Sequence, residues 1–305
     1  MTTESQPLAP AASTAAEPFD DVNADLVLRS SDRVDFRVFK CILSLTSPIF
    51  KDMFTIGAPT LQHSSNPPVV PLSESSTTLD VLFRFIYPGV TQANPLFDTF
   101  NDAKLFLAAI AKYDIVATVR ERALEIVNHQ FLAERPVSIY AVACELGWQD
   151  LAQIAARETL KSKELARPAG YVEELETLTA GAFHRLLSYH HNCGVAASSA
   201  IGSFRRPGGM CGSFAPSRSC PNGIDNSDHE WVINEYVAVY RKELLSRPHP
   251  SIIGQFPIGT WDSGMRASPM KKICLRMPIY LDTFRESFTA HIEEVVSKVE
   301  LEFRL

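Results

Sequence analysis

The sequence predicts an α+β domain, a small mixed sheet capped by helices, followed by a mainly α-helical carboxyl-terminal region. Two observations predict the first part. Between Asp25 and Phe54 the apolar period changes from two to three-or-four, so strands run straight into helices. Farther on, a short extended run at Pro68-Val69-Val70-Pro71-Leu72 precedes a helical stripe at Leu79, Leu82, Phe83 and Ile86. The remainder follows from a third: the regular segments after Asn101 carry helical spacing.

Met1 to Pro18 is Thr, Ser, Ala, Pro and Glu with few aromatic or β-branched residues, too little apolar surface to offset the entropy of ordering, and is expected as a disordered tail. Leu26 and Leu28 then alternate with Val27 and Arg29, Ser30-Ser31-Asp32 supplies a turn, and Phe36, Val38 and Phe39 resume an apolar strand, which makes a hairpin. Cys41, Ile42, Leu45, Ile49, Phe50, Met53 and Phe54 recur at helical steps interrupted by Ser47-Pro48. Pro48 suits the first turn of a second helix, because the N–H it lacks has no partner there. A Gly/Pro/Ser-rich loop covers Thr55 to Pro68; Ser73 is the expected N-cap of the next helix, with Ser76 three residues on, and Pro88-Gly89 ends it.

Asn101–Tyr113 forms a further amphipathic helix through Leu105, Phe106, Ala109 and Ile110. Asp114 can cap the next, whose Arg120-Glu121-Arg122 face reads as solvated surface. Helices are expected over Pro136–Leu146 and Gln149–Leu165, split by Gly147-Trp148, and again over Thr179–Tyr189. From Asn192 to Asp228 glycines and prolines accumulate and an irregular loop is expected; Trp231–Leu245 and Tyr280–Leu305 restore helical stripes.

The run Asp25, Phe36, Val38, Lys40, Leu43, Ser47, Phe50, Met53 and Phe54 resembles the opening of the BTB/POZ domain, an Asp before apolar alternation, then F-x-V-x-K-x-x-L and S-x-x-F-x-x-M-F. Leu79 to Gly89 is similar to the helix closing on that family's F-x-x-Y-x-G, and ends here in Tyr87-Pro88-Gly89. One position departs: Phe39 stands where many members have His. The resemblance implies a protein-interaction domain over 21–130, after a tail at 1–20. A helical, BACK-like extension over 131–191 and an irregular segment with terminal helices over 192–305 complete the division. It also implies homodimerisation through a surface that maps here to Val22, Leu26, Phe39, Cys41, Ile42, Leu45 and Ile49, residues equally suited to a protomer core. A substrate adaptor binding a cullin-type ubiquitin ligase scaffold, and a transcriptional co-regulator, are the alternative roles.

At 305 residues and 46% hydrophobic content the chain can bury about two cores, at roughly 100–200 residues per domain. Its net charge is −6, and no Lys/Arg run exceeds two residues, as at Arg205-Arg206 and Lys271-Lys272, which argues against direct nucleic-acid binding. Apolar stretches are interrupted short of the roughly 20 residues that span a bilayer, so no membrane association is expected. A start without a basic, apolar leader and only six cysteines point to reduced thiols in cytosol or nucleus.

The candidate chemistry is a structural zinc. Zinc takes four N or S ligands tetrahedrally, and Gly/Pro-rich chain without its own core gains most from one. Cys193, Cys211, Cys220 and either Cys274 or His190 are the candidate ligands, and Tyr189-His190-His191-Asn192-Cys193-Gly194 is similar to a segment of some fungal BTB proteins. The spacings include no CxxC, and free cysteines with surface histidines are the alternative. Catalysis is not expected: G-x-S-x-G and HExxH are absent, and Gly208-Gly209-Met210-Cys211-Gly212 lacks the Lys-Ser/Thr of a phosphate-binding loop. The closing helical stripe, from Phe284 to Val299, is expected to pack on the chain's own core.

Overall fold

In the computed structural model, residues 12–56, 67–90, 97–163, 165, 170–203, 239–254 and 277–304 are described. The chain divides into two compact units, Met1–Glu134 and Arg135–Leu305.

The first unit is built on the predicted hairpin. Strands β2 (Leu26–Arg29) and β3 (Val34–Val38) pair antiparallel with Leu26 opposite Val38 and Leu28 opposite Phe36. Between them the chain turns at Arg33, with φ 65°. Strand β4 (Val69–Pro71) adds parallel to β2, and β1 (Ser13–Thr14) parallel to β3, giving a mixed sheet ordered β1-β3-β2-β4. Because β2 is interior, Val27 is buried as fully as Leu26 and Leu28 on the opposite face. The helices α1 (Lys40–Thr46), α2 (Pro48–Ile56), α3 (Ser76–Ile86), α4 (Phe100–Lys112) and α5 (Ala117–Phe131) cap this sheet.

Aromatic rings fill the space between. Phe83, fully buried, sits 5.5 Å from Phe36, 5.8 Å from Phe19 and 6.5 Å from Phe50 between ring centroids, and Phe50 stacks on Tyr113 at 4.4 Å. Offset and edge-on pairs of this kind contribute about 0.5–1.5 kcal/mol each beyond the area they bury.

The tail reading is corrected over residues 12–20. Ser13 and Ala15 donate their N–H groups to the carbonyls of Arg33 and Asp35, and Phe19 is fully buried beneath the guanidinium of Arg84 at 5.5 Å. One aromatic anchor and a free sheet edge order a segment whose composition alone would leave it loose. Residues 1–11 lie outside the described set.

Two helix starts also differ from expectation. Ser75, not Ser73, caps α3 by accepting from Thr78 N–H, and Val116 opens α5 with no side-chain cap while Asp114 takes φ 46° in the preceding turn. Thr99 and Asp102 form a reciprocal capping box at α4. Pro48 stands in the first turn of α2 as predicted, with Ser47 as its cap.

The second unit is helical among its described residues: α6 (Pro136–Leu146), α7 (Gln149–Thr159), α8 (Ala180–Ser203), α9 (239–246) and α10 (Met277–Ser297), with 3-10 turns at Glu173–Glu176 and Pro250–Gly254. Pro136 starts α6 and Gly147, at φ 72°, ends it. In α6 every residue from Ser138 to Ala143 is buried, as expected of a helix enclosed on all sides. Its Tyr140 hydroxyl donates to the Ala182 carbonyl at 3.0 Å.

The irregular loop expected from Asn192 is corrected over 192–203, where α8 continues unbroken. Its buried stripe runs Ala182, Leu186, Tyr189, Cys193, Ala197, Ala200 and Ile201, at steps of three and four, with small residues where larger apolar ones would have announced a helix. The final helix begins at Met277 and stops at Ser297, short of the expected Leu305, and buries Phe288, Ile292 and Val296. Gln149–Leu165 ends as a helix at Thr159. Of Trp231–Leu245, residues 231–238 lie outside the described set.

Candidate interaction surface

The junction between β3 and α1 is held from a distance. Helix α1 is too short to be stable alone and its N-cap residue, Phe39, has no side-chain oxygen to offer its free N–H groups. Instead Asp25 Oδ1 accepts the Lys40 N–H at 2.8 Å, and the Tyr87 hydroxyl accepts the Phe39 N–H at 2.8 Å. Burial, above all, pushes the Tyr87 phenol up to about 12, so it stays a neutral hydroxyl. At the other end, Ser47 is buried, donates to the Tyr113 carbonyl at 2.5 Å and accepts from Phe50 N–H at 3.0 Å, while Val116 N–H donates to Thr46 O at 2.9 Å. Asp32 accepts from both the N–H and the hydroxyl of Ser76, which ties the hairpin turn to the first residue of α3. Those bonds, the Ser76 hydroxyl first, hold the Asp32 carboxyl down to about 2.

This frame presents apolar side chains to solvent. Leu45 is 81% exposed and Val22 79%; Ile49 is 41% exposed and Cys41 is exposed as well. Cys41 and Leu45 lie one turn apart on the same face of α1, and Ile49 follows across the Ser47-Pro48 corner. Asp25, bonded to Lys40, brings the loop that carries Val22 to the start of the same helix. Of the remaining residues mapped to a dimer surface, Phe39 and Ile42 are half-buried, and Leu26, 1% exposed, belongs to the protomer core. Such a strip can exclude water against a complementary face, and offers no nucleophile–base pair or converging charges for chemistry.

The candidate zinc ligands are not brought together within the described residues. Cys193 is fully buried on α8, where burial pushes its thiol up to about 11. His190 is buried one turn before, its Nε2 3.1 Å from the Ser162 carbonyl oxygen, and burial holds its pKa below the usual imidazole value. Cys211, Cys220 and Cys274 lie outside the described residues. Among the described residues no three His, Cys, Asp or Glu side chains converge on a metal position, and no helix is long and apolar enough to cross a membrane.

Residues 18–130 match the family model of the BTB/POZ domain. This segment is a BTB/POZ domain. Such domains are protein-interaction modules that mediate self- or hetero-association, and the segment covers strands β2, β3 and β4, the helices packed on them and the exposed strip on α1, while β1 precedes it. No curated protein matches the chain.

Within the BTB/POZ domain the residues that secure α1 carry the pattern seen in the sequence, Asp25 and Tyr87 among them, but spacing alone did not disclose that both serve one helix end. Arg122 is likewise more than solvated surface: its guanidinium lies 4.8 Å from the Phe85 ring centroid and donates to the Phe85 carbonyl at 2.9 Å.

Proposed function

We propose that the chain works as a protein–protein interaction protein whose BTB/POZ domain homodimerises through the strip formed by Val22, Cys41, Leu45 and Ile49. The observation that carries this reading is Leu45, a leucine 81% exposed on a helix that the fold holds rigidly at both ends. Burying it with its neighbours adds the apolar centre that specific interfaces of about 1,600 Å² are built around. Phe39 and Ile42 flank the strip and would be covered as it closes.

Light scattering on the full chain at micromolar concentration tests this. A mass twice the 33.8 kDa of the chain is expected, falling to one chain in Leu45→Asp. Leu45 is exposed in the protomer, so the aspartate is tolerated by the fold, and circular dichroism should be unchanged. A wild-type chain that is strictly monomeric would remove the proposal.

A further inference from the structure

A cleft of about 530 Å³ opens on the first unit along β1 and the starts of α3 and α4. One wall is the strand itself. Ser13 and Ala15 turn their N–H groups toward β3, so the alternation of strand geometry directs the backbone N–H and C=O of Thr14 away from β3, to the outer edge of the sheet formed by the described residues, and Thr14 is one of the residues that line the cleft. An open edge of this kind is a template for one more strand. The opposite wall is formed by the starts of α3 and α4, with the hydroxyls of Ser76 and Thr77 and the carboxylates of Asp80, Asp98 and Asp102; Phe97 and Phe106 supply its apolar part. Asp80 is spoken for by Arg84, whose Nε donates to it at 2.7 Å, and Asp102 by the Thr99 capping box. Among the described residues Asp98 is exposed and makes no hydrogen bond or ion pair, and none of those that line the cleft is Lys or Arg.

We propose that this cleft takes an extended, basic peptide segment of a partner protein, which adds as a strand to the β1 edge through the backbone of Thr14 and places a Lys or Arg side chain on Asp98. The edge supplies sequence-independent main-chain bonds, and the charge selects the sign of the partner. Two polar main-chain groups on an edge strand, facing hydroxyls and the Asp98 carboxylate that no cation pairs with among the described residues, fit a strand with alternating basic side chains and oppose an acidic one.

The probe is a fluorescein-labelled Gly-Lys-Val-Arg-Val-Lys-Gly peptide, titrated with the full chain and read by anisotropy, with the same peptide carrying Glu in place of Lys and Arg as control. Saturable binding of the basic peptide is expected, at least about tenfold tighter than the acidic one and weakening with salt. Thr14→Pro removes an N–H that the β1–β3 ladder does not use and should weaken binding about tenfold. Asp98→Asn, on the surface, should weaken it several-fold and flatten its salt dependence. Equal binding of the two peptides, no saturable binding to the wild type, or unchanged binding in Asp98→Asn would overturn the proposal, and the last decides the matter if Thr14→Pro does not fold. Binding that falls as protein concentration rises, the sign of a second copy already on the edge, would overturn it as well. The proposal does not rest on the dimer strip: Leu45→Asp should retain peptide binding.

Discussion

The two units reach a dry interior by opposite means. In the BTB/POZ domain the core is large and aromatic, with Phe19, Phe36, Phe50, Phe83 and Tyr113 in edge-on or stacked contact between sheet and helices. In the second unit alanine is the commonest buried residue of α6, α7 and α8: Ala141, Ala143, Ala152, Ala155, Ala156, Ala182, Ala197 and Ala200. Small residues let helix backbones approach, and the extreme case is Gly194 on α8, where an added Cβ would stand 2.4 Å from the backbone oxygen of Leu245. One unit is therefore vulnerable to cavities and the other to added volume.

Cutting Phe83 to Ala opens a void among three rings and should cost about 3–5 kcal/mol, the largest effect expected in the molecule. Differential scanning calorimetry of the full chain reads it as a lowered Tm. The converse change, Gly194→Ala, would stabilise a helix with open surroundings by about 1 kcal/mol, because alanine is the better helix former. Here the Leu245 backbone blocks the methyl, and a net loss of about 1–3 kcal/mol is expected. A stabilised Gly194→Ala protein, or a larger loss there than in Phe83→Ala, would break the contrast between the two cores. The smallest effect belongs to a surface bond. Asp32 has its carboxyl held near 2, below the unfolded value of about 3.9, so its contribution is full above that value and is lost as pH falls toward 2. Solvent screening keeps this contribution small. Asp32→Asn should show a shallower fall in Tm over that acid range than the wild type, and an identical slope in the two proteins would mean that the tie to Ser76 adds nothing to stability.

The same contrast explains what could be read in advance. The hairpin, the Ser47-Pro48 corner and the α3 stripe were legible because Leu, Val, Ile and Phe advertise their period. The continuation of α8 past Asn192 was not, since Cys193, Gly194, Ala197 and Ala200 give a helical stripe with little hydropathy contrast, and Gly194 reads as a breaker until the close approach of Leu245 explains it. Strand β1 was hidden for a different reason: Ser13 and Thr14 have no apolar alternation, and they are ordered by a neighbouring edge and by Phe19 several residues later. The resemblance mapped Val22, Leu26, Phe39, Cys41, Ile42, Leu45 and Ile49 to one surface; Val22, Cys41, Leu45 and Ile49 are exposed, while Leu26 is buried, because an apolar residue suits a core as well as a surface strip.

Helix α1 owes its shape to side chains 15 and 48 residues away in sequence, Asp25 and Tyr87. Its backbone bonds are local, but the N–H groups of its first residues are satisfied from the start of the hairpin and from the end of α3. The row of Leu45 and Cys41 therefore depends on contacts that the helix cannot make for itself, and a change at Asp25 or Tyr87 reaches an exposed face that neither side chain belongs to.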